Sequence, residues 1–563
     1  MKKPLILMFA LLYILQNMIG CYNNTQSFHN EEEILRQYEE ACNTPFGRYP
    51  ETITYTLGKM AGENNSNMPE NDTYENNAYT RYLKNKLNIQ NKDVFEDRDN
   101  NYDNMLNMAI SENNIPDIMV VDDYSYLKLL VENDMIEDLS EVYEKCASER
   151  IKDIYKSYGD EILDNVTFDG KLMALPETNI DNGPNMLWLR RDWMDKLGLE
   201  SPKTFDDAVN IIRQFIEKDP GNNGEGKTIG LACFPEITNQ RGYSNTGKVD
   251  VIFSLFNSYP DQWVENSEGD LVYGSVQNES KEALEYLSQL YKSGILDKQF
   301  LLRNQNNIED IIEHGQCGAF FGLWWAPNNP LMNSLNYDSN AKWEPFMIPT
   351  NEDGSTSFCS QNPSNKFIVV RKGFEHPEIV MKECSVLFDY FNSCNKEVYE
   401  IKQYYVDNVD PTARPFAINI DYKDALVEGY KNITDVLNYN KNVDDLQLIE
   451  YSYYEQCKRY LENKDGASVE DWAAYTSRIS ATSLLVDSKI NNVQTYFFNK
   501  ETKTMSKVWW KLKELEKQAY LKIITGEETI DYFDKFVSEW YKQGGDIITK
   551  EVRDEVNSNS RKD

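Results

Sequence analysis

Few residues in this chain could do chemistry by type and spacing. Residues 221–228, GNNGEGKT, satisfy the pattern G-x-x-x-x-G-K-[ST] of loops that cradle nucleotide phosphates. That chemistry needs a strand before the loop and a helix after it, because the start of the helix supplies the phosphate-binding amides. Here the order is reversed. Thr204 and Asp207 have capping-box spacing, and Phe205, Ala208, Ile212 and Phe215 repeat at helical intervals to about Lys218. A strand then begins near Ile229, so nucleotide binding is not expected. No HExxH or GxSxG string occurs, and His29, His314 and His376 are the only histidines. Cys42, Cys146, Cys233, Cys317, Cys359, Cys384, Cys394 and Cys457 show neither CxxC spacing nor a companion His cluster, so no metal and no cofactor is predicted. Cys233 and Cys317 lie in apolar runs and read as small core residues, while Cys384 and Cys394 are a pair that an oxidising compartment could join. A glycosidase's paired carboxylates cannot be picked out among 92 acidic residues, because such pairs are set by space and not by spacing.

What remains are polar and aromatic residues at the ends of predicted strands. A helix over residues 102–110 leads through Pro116 into the continuous apolar strand of residues 117–121, the pattern of a parallel α/β sheet. Ligands of such sheets gather beyond the carboxyl ends of strands, where Asp122, Asp123 and Tyr124 stand; the alternative is a solvated helix cap. A second buried strand within residues 315–325 ends in Trp324 and Trp325, and tandem aromatics point to opposite faces, so one of them is core. Around these lie an alternating strand at 53–57, a helix at 77–87, a turn and strand at 168–176 and a helix stopped by Gly294. The chain is mostly helical beyond about residue 392, with a tail helix ending at Gly526. No internal repeat is visible.

Lys2 and Lys3 precede twelve apolar residues, 4–15, too few to span a bilayer and the size of a signal-peptide core. Residues 18–21, MIGC, then resemble a bacterial lipobox, which makes Cys21 the expected lipidation site and the mature amino terminus. The protein is then held on the extracellular face of a membrane by lipid alone. Hydrophobic residues at 40% and charged residues at 27% describe a folding chain, and 563 residues suffice for two large lobes. The net charge of −34 disfavours nucleic acid and anionic lipid as partners, since phosphates would be repelled.

Residues 187–230, with Trp188, Arg190, Asp192, Trp193 and Leu197-Gly198-Leu199 in place, strongly resemble the extracellular solute-binding proteins of family 1, the lipoprotein components of carbohydrate ABC importers. Residues 116–118 (PDI), 131–139, 168–176, the HPE at 376–378 and the closing stretch 521–552 resemble the same family. The resemblance implies an α/β, two-lobed periplasmic-binding-protein-like fold of type II with a hinge and a mainly helical carboxyl-terminal part. Expected divisions are 1–20 signal peptide, 21–50 tether, 51–176 with 350–392 as one lobe, and 177–349 with 393–563 as the other. It implies a monomeric binding protein that is not an enzyme, with a carbohydrate ligand and permease subunits as partners. The expected cleft residues are Asp122, Asp123, Tyr124, Glu177, Asn185, Trp188, Trp263, Trp324 and Trp325, with Trp188 either facing the ligand or buried beside its strand. Arg190 and Asp192 are expected to form a structural charged pair. Residues 219–227 resemble the family's calcium-type loop, but Gly221 and Lys227 replace two oxygen ligands, so a plain turn is expected. Rival functions are a surface polysaccharide hydrolase and an adhesion or structural lipoprotein.

Overall fold

Local chemistry sets the elements first. Asn77 caps the helix Ala78–Leu87 by accepting from the amides of Tyr79 and Thr80, and Thr204 and Asp207 form the expected reciprocal box at the start of Phe205–Lys218. Gly526, in the left-handed region, closes the tail helix Met505–Thr525. The computed structural model describes residues 24–559 except 63–66, 181–182, 238–245, 360–361, 390, 392–394, 408 and 499. Cys21 and Cys394 therefore lie outside the described residues. Among the described residues no helix is long and apolar enough to cross a membrane.

The first sheet has the order Ile89–Asp97, Ile53–Met60, Ile118–Val121, Phe367–Val370, Leu175–Pro176. Its first three strands are parallel, and Phe367–Val370 runs antiparallel to both its neighbours. Every residue of Ile118–Val121 is buried, which is why that strand reads as an unbroken apolar run. The second sheet has the order Trp343–Phe346, Met186–Arg190, Cys317–Gly322, Ile229–Ala232. Gly318 is required there: a Cβ at this position would stand 2.5 Å from the Trp193 ring, which packs edge-on against Phe215.

Each sheet has its own core, Leu57, Val120, Leu175 and Ile368 in one and Leu187, Ile212, Phe321 and Trp540 in the other. A smaller cluster of Trp188, Phe320 and Trp343 covers the opposite face of the second sheet and takes in Leu426 and Ala481. This is the two-lobed α/β arrangement. The crossing segments are bound to one another: Glu177 N–H donates to the Lys366 carbonyl (2.8 Å), Thr178 N–H to Asn419 (2.8 Å) and Asn179 N–H to Pro363 (3.0 Å).

Two expectations change. Residues 41–49 are part of the first lobe and not a free tether, because Ala41 and Tyr49 are buried and Lys382 Nζ donates to the carbonyls of Thr44 (2.7 Å) and Gly47 (2.8 Å). The stretch from Val398 to Ile420, expected in the second lobe, contributes Ile401, Tyr404, Phe416 and Ile418 to the first core. Helical spacing marked these residues as apolar-faced but could not say which sheet they cover. Lys59 fixes the return, its buried ammonium donating to the carbonyls of Met60, Thr412, Arg414 and Pro415.

Glu383 is buried in the first core, where it accepts from the Tyr55 hydroxyl (2.8 Å) and faces Lys59 and Asp93; burial pushes its carboxyl up from the ordinary 4.5 to about 8. An unfolded glutamate releases its proton near 4.5, so the folded chain binds more protons from there to about 8, and this residue's contribution to stability falls as pH rises through that window. Relative to wild type, Glu383→Gln is expected to gain stability between pH 5 and pH 8, as read by denaturant unfolding at several pH values. The gain should reach up to a few kcal/mol, because each tenfold change in proton affinity is worth about 1.4 kcal/mol. A constant difference across that range would show that Glu383 is ionised throughout.

Candidate functional site

The carboxyl end of Cys317–Gly322 delivers Trp324 and Trp325 toward the crossing segments, since Gly322 pairs with Met186 where the chain enters the second lobe. Trp324 is 5% exposed and lies under the Arg478 guanidinium, 4.4 Å from ring centre to Cζ. The Tyr453 ring also lies against this guanidinium, its centre 3.9 Å from Cζ. Trp325 is half-buried beside the smaller cluster. Both tryptophans stand in the turn after the strand and pack on the same smaller cluster, Trp324 the more enclosed, so strand alternation does not set their directions.

Arg478 borders a cavity of about 220 Å³ whose walls include Ile180 and Asp421 from the crossing segments, Asn432 and Glu450 from the helices Ala425–Leu437 and Leu448–Glu462, and Tyr453. Its Nε is buried without a hydrogen-bond partner, and among the described residues the guanidinium makes cation–π contacts and no ion pair. Glu450 is oriented by Asn432 Nδ2 (2.8 Å) and the Gln447 amide (2.9 Å). Asp421 accepts from the Tyr422 amide (2.9 Å), and burial raises its carboxyl despite the nearby charges of Arg150 and Arg478. A guanidinium, two carboxyl groups and a tyrosine thus line one cavity. Such a mixture suits a neutral polyol, whose hydroxyls both donate and accept. Sequence reasoning missed Arg478, Tyr453, Asp421 and Glu450, for they sit in helices and loops with no motif.

The predicted residues fall in several places. Asp123 caps the helix Tyr124–Glu132 by accepting from the Ser125 amide (2.8 Å), the cap alternative, while Asp122 stays half-buried beside it. Tyr124 stacks on Phe168 at 6.2 Å and meets Phe367 edge-on, and its hydroxyl is pushed up to about 12 by burial and then by the charge of Glu555 from the second lobe. On the same helix Lys128 bridges to Glu501 of the second lobe at 2.5 Å. Glu177 is half-buried in the crossing bundle.

Trp188 takes the second of its two expected places, and Trp263 and Asn185 are turned inward. Trp188 is fully buried and donates Nε1–H to the Gly322 carbonyl (3.2 Å), so it is a core residue. Trp263 is 1% exposed and packs on Tyr273 at 5.1 Å, which in turn stacks on Trp540, so it too presents no open face. Asn185 is turned inward, donating to buried Asp250 (2.7 Å). Arg190 holds Asp192 in a two-pronged pair, both contacts 2.8 Å, as expected.

The loop at 219–228 runs from a helix into a strand, as the sequence indicates, and offers no cradle for phosphate. Asp219 Oδ1 accepts from the Asn223 amide (2.9 Å) and the Thr228 hydroxyl (2.6 Å), and Oδ2 accepts from the Gly224 amide (2.9 Å). The loop's own donors thus occupy the carboxylate that a calcium ion would need, and the Thr228 hydroxyl first among them holds that carboxyl below its usual value.

A family pattern described as bacterial extracellular solute-binding protein matches residues 65–382. The polygalacturonan/rhamnogalacturonan-binding protein YtcQ of Bacillus subtilis is 23% identical over 461 residues, which is 80% of this chain and 82% of that protein. Lipoprotein LipO of the same organism is 28% identical over 226 residues, 39% of this chain and 42% of that one. The solved structure of the S. pneumoniae ABC-transporter substrate-binding protein FusA in complex with kestose superposes with a TM-score of 0.60 at 15% identity, covering 91% of this chain and all of that one.

The loop geometry predicts that Asp219→Ala, which strands three donors, lowers stability by about 2 kcal/mol, whereas chelator shifts the melting temperature of the wild type by no more than a few degrees. A large drop with chelator that calcium reverses would mean that Asp219 serves a metal instead.

Proposed function

This chain belongs to the bacterial extracellular solute-binding protein family, and we propose that it captures an oligosaccharide and passes it to the permease subunits of an ABC importer. It is a binding protein and not an enzyme, in keeping with the family and its relatives. The observation that carries the carbohydrate reading is Arg478, a guanidinium against the rings of Trp324 and Tyr453 with an unmet Nε–H beside the cavity at the crossing segments. A donor fork held in place before binding loses little freedom when a hydroxyl arrives, so its hydrogen bonds count in full toward affinity. Asp421 and Glu450 accept hydrogen bonds from the sugar hydroxyls. The cavity, at about 220 Å³, lies below the roughly 300–1,000 Å³ of drug-sized pockets and has room for one sugar ring, the remaining units extending along the interlobe cleft past Trp325 and Asp122. The relatives YtcQ and FusA, whose names and complex refer to polygalacturonan, rhamnogalacturonan and kestose, support this class.

We also propose that Cys21 carries the lipid that holds a monomeric protein on the outer face of the cell membrane. The apolar segment followed at once by MIGC supports this, as does the likeness to a protein named lipoprotein LipO.

Purified protein with a panel of oligosaccharides tests the first reading: one sugar should raise the melting temperature and be recovered intact, and Arg478→Met should weaken its binding about thirtyfold by calorimetry, the loss typical of a central anchor worth about 2 kcal/mol. A shortened sugar, or unchanged affinity in the variant, would contradict the assignment. For the anchor, Cys21→Ser is expected to move the folded protein from the membrane fraction to the medium, and retention on the membrane would rule out lipid at this residue.

A further inference from the structure

Cys42, His376 and Glu378 come from parts of the chain more than 300 residues apart, yet each offers a ligand atom and these atoms all lie within 4.8 Å of one another. Cys42 ends the amino-terminal helix Asn24–Asn43, and His376 and Glu378 come just before the helix Ile379–Leu387 of the first lobe. We propose that these three side chains form a site for a transition-metal ion of the Zn²⁺ class, which fastens the amino-terminal helix to the first lobe. Thiolate, imidazole and carboxylate together are the donor set such ions take, and calcium and magnesium, which want oxygen alone, do not fit it.

The surroundings resemble a metal site's outer shell. His376 Nδ1 lies 3.2 Å from Glu378 Oε1, a spacing that neighbouring ligands of one small ion share. The other ring nitrogen, Nε2, is 3.1 Å from the Tyr38 hydroxyl. Nδ1 faces Glu378, and with a metal ion in place of the proton between them Nε2–H would donate to Tyr38 and leave the Nδ1 lone pair for the ion. Tyr49 donates its hydroxyl to Glu378 Oε1 (2.5 Å) and so orients the carboxylate. Tyr49 and Phe374 also meet the His376 ring edge-on and fix its plane. His376 and Glu378 are buried while Cys42 is half-buried. On binding, the metal–sulfur bond replaces the Cys42 S–H bond and that proton leaves to solvent, while the imidazole and the carboxylate enter in their neutral and ionised forms.

Sequence spacing gave no sign of this set and indeed pointed to no metal, because spacing rules apply to ligands on one helix or loop. The test uses the full chain, stripped of metal, with Zn²⁺ or Co²⁺ alone as probe. Calorimetry is expected to show a strong Zn²⁺ site of one ion per chain, and Co²⁺ to develop a thiolate-to-cobalt absorption band. Cys42→Ser should abolish that band and His376→Gln the strong site, with circular dichroism confirming that both variants are folded. Tyr38→Phe, which alters only the outer shell, should weaken binding about tenfold to a hundredfold. Absence of strong Zn²⁺ binding by wild type, or equal binding and an unchanged band in Cys42→Ser, would overturn the proposal and leave the three groups as a hydrogen-bonded cluster.

Discussion

Where the chain passes between its two cores, its backbone must stay satisfied away from either sheet, and it does so by bonding to itself. Thr178 is the centre of this arrangement: its amide donates to the Asn419 carbonyl and its hydroxyl accepts from the Asp421 amide. The amides of Glu177 and Asn179 reach the return segment at Lys366 and Pro363. Three crossings are thus tied into one bundle. The cavity beside Arg478 takes Ile180 and Asp421, two of its lining residues, from beside this bundle. At a distance along the cleft, Lys128 and Glu501 meet across the lobes through partly exposed side chains, a contact worth about 1 kcal/mol or less and therefore easily exchanged.

Buried cations do a second job that the apolar cores cannot. Lys59 and Lys382 each end in a cluster of main-chain carbonyls, Lys59 on residues 412–415 and Lys382 on Thr44 and Gly47. In both cases an irregular segment far away in sequence is held against the first sheet by an ammonium that would otherwise be buried alone. Replacing either by an apolar residue would strand several carbonyls as well as remove a charge. These contacts explain why two segments of unremarkable composition, residues 41–49 and 411–415, belong to the first lobe.

Arg478 shows the opposite situation. Its charge is shared with two aromatic faces and not with a carboxylate, although Asp421 is near enough for its proton affinity to respond. An arginine paired with a carboxylate has its donors filled; one stacked between rings keeps them available. The same logic separates the tryptophans. Trp188 has its indole N–H on a carbonyl, whereas Trp324 carries a cation against its ring.

The sequence by itself determined the local elements and the class of protein. The capping box at Thr204, the unbroken apolar strand before Asp122, the stop at Gly526 and the charged pair of Arg190 with Asp192 all depend on neighbours within a few residues, and all stand where spacing put them. The string around Trp188 carried the family because it is one contiguous supersecondary unit. Only the tertiary structure decided which aromatic residues are buried, which lobe receives residues 398–420, and that Cys42 meets His376. Those outcomes depend on which faces pack together after long loops close. A hydrophobic period names the buried side of an element, but it holds no information about what that side is buried against.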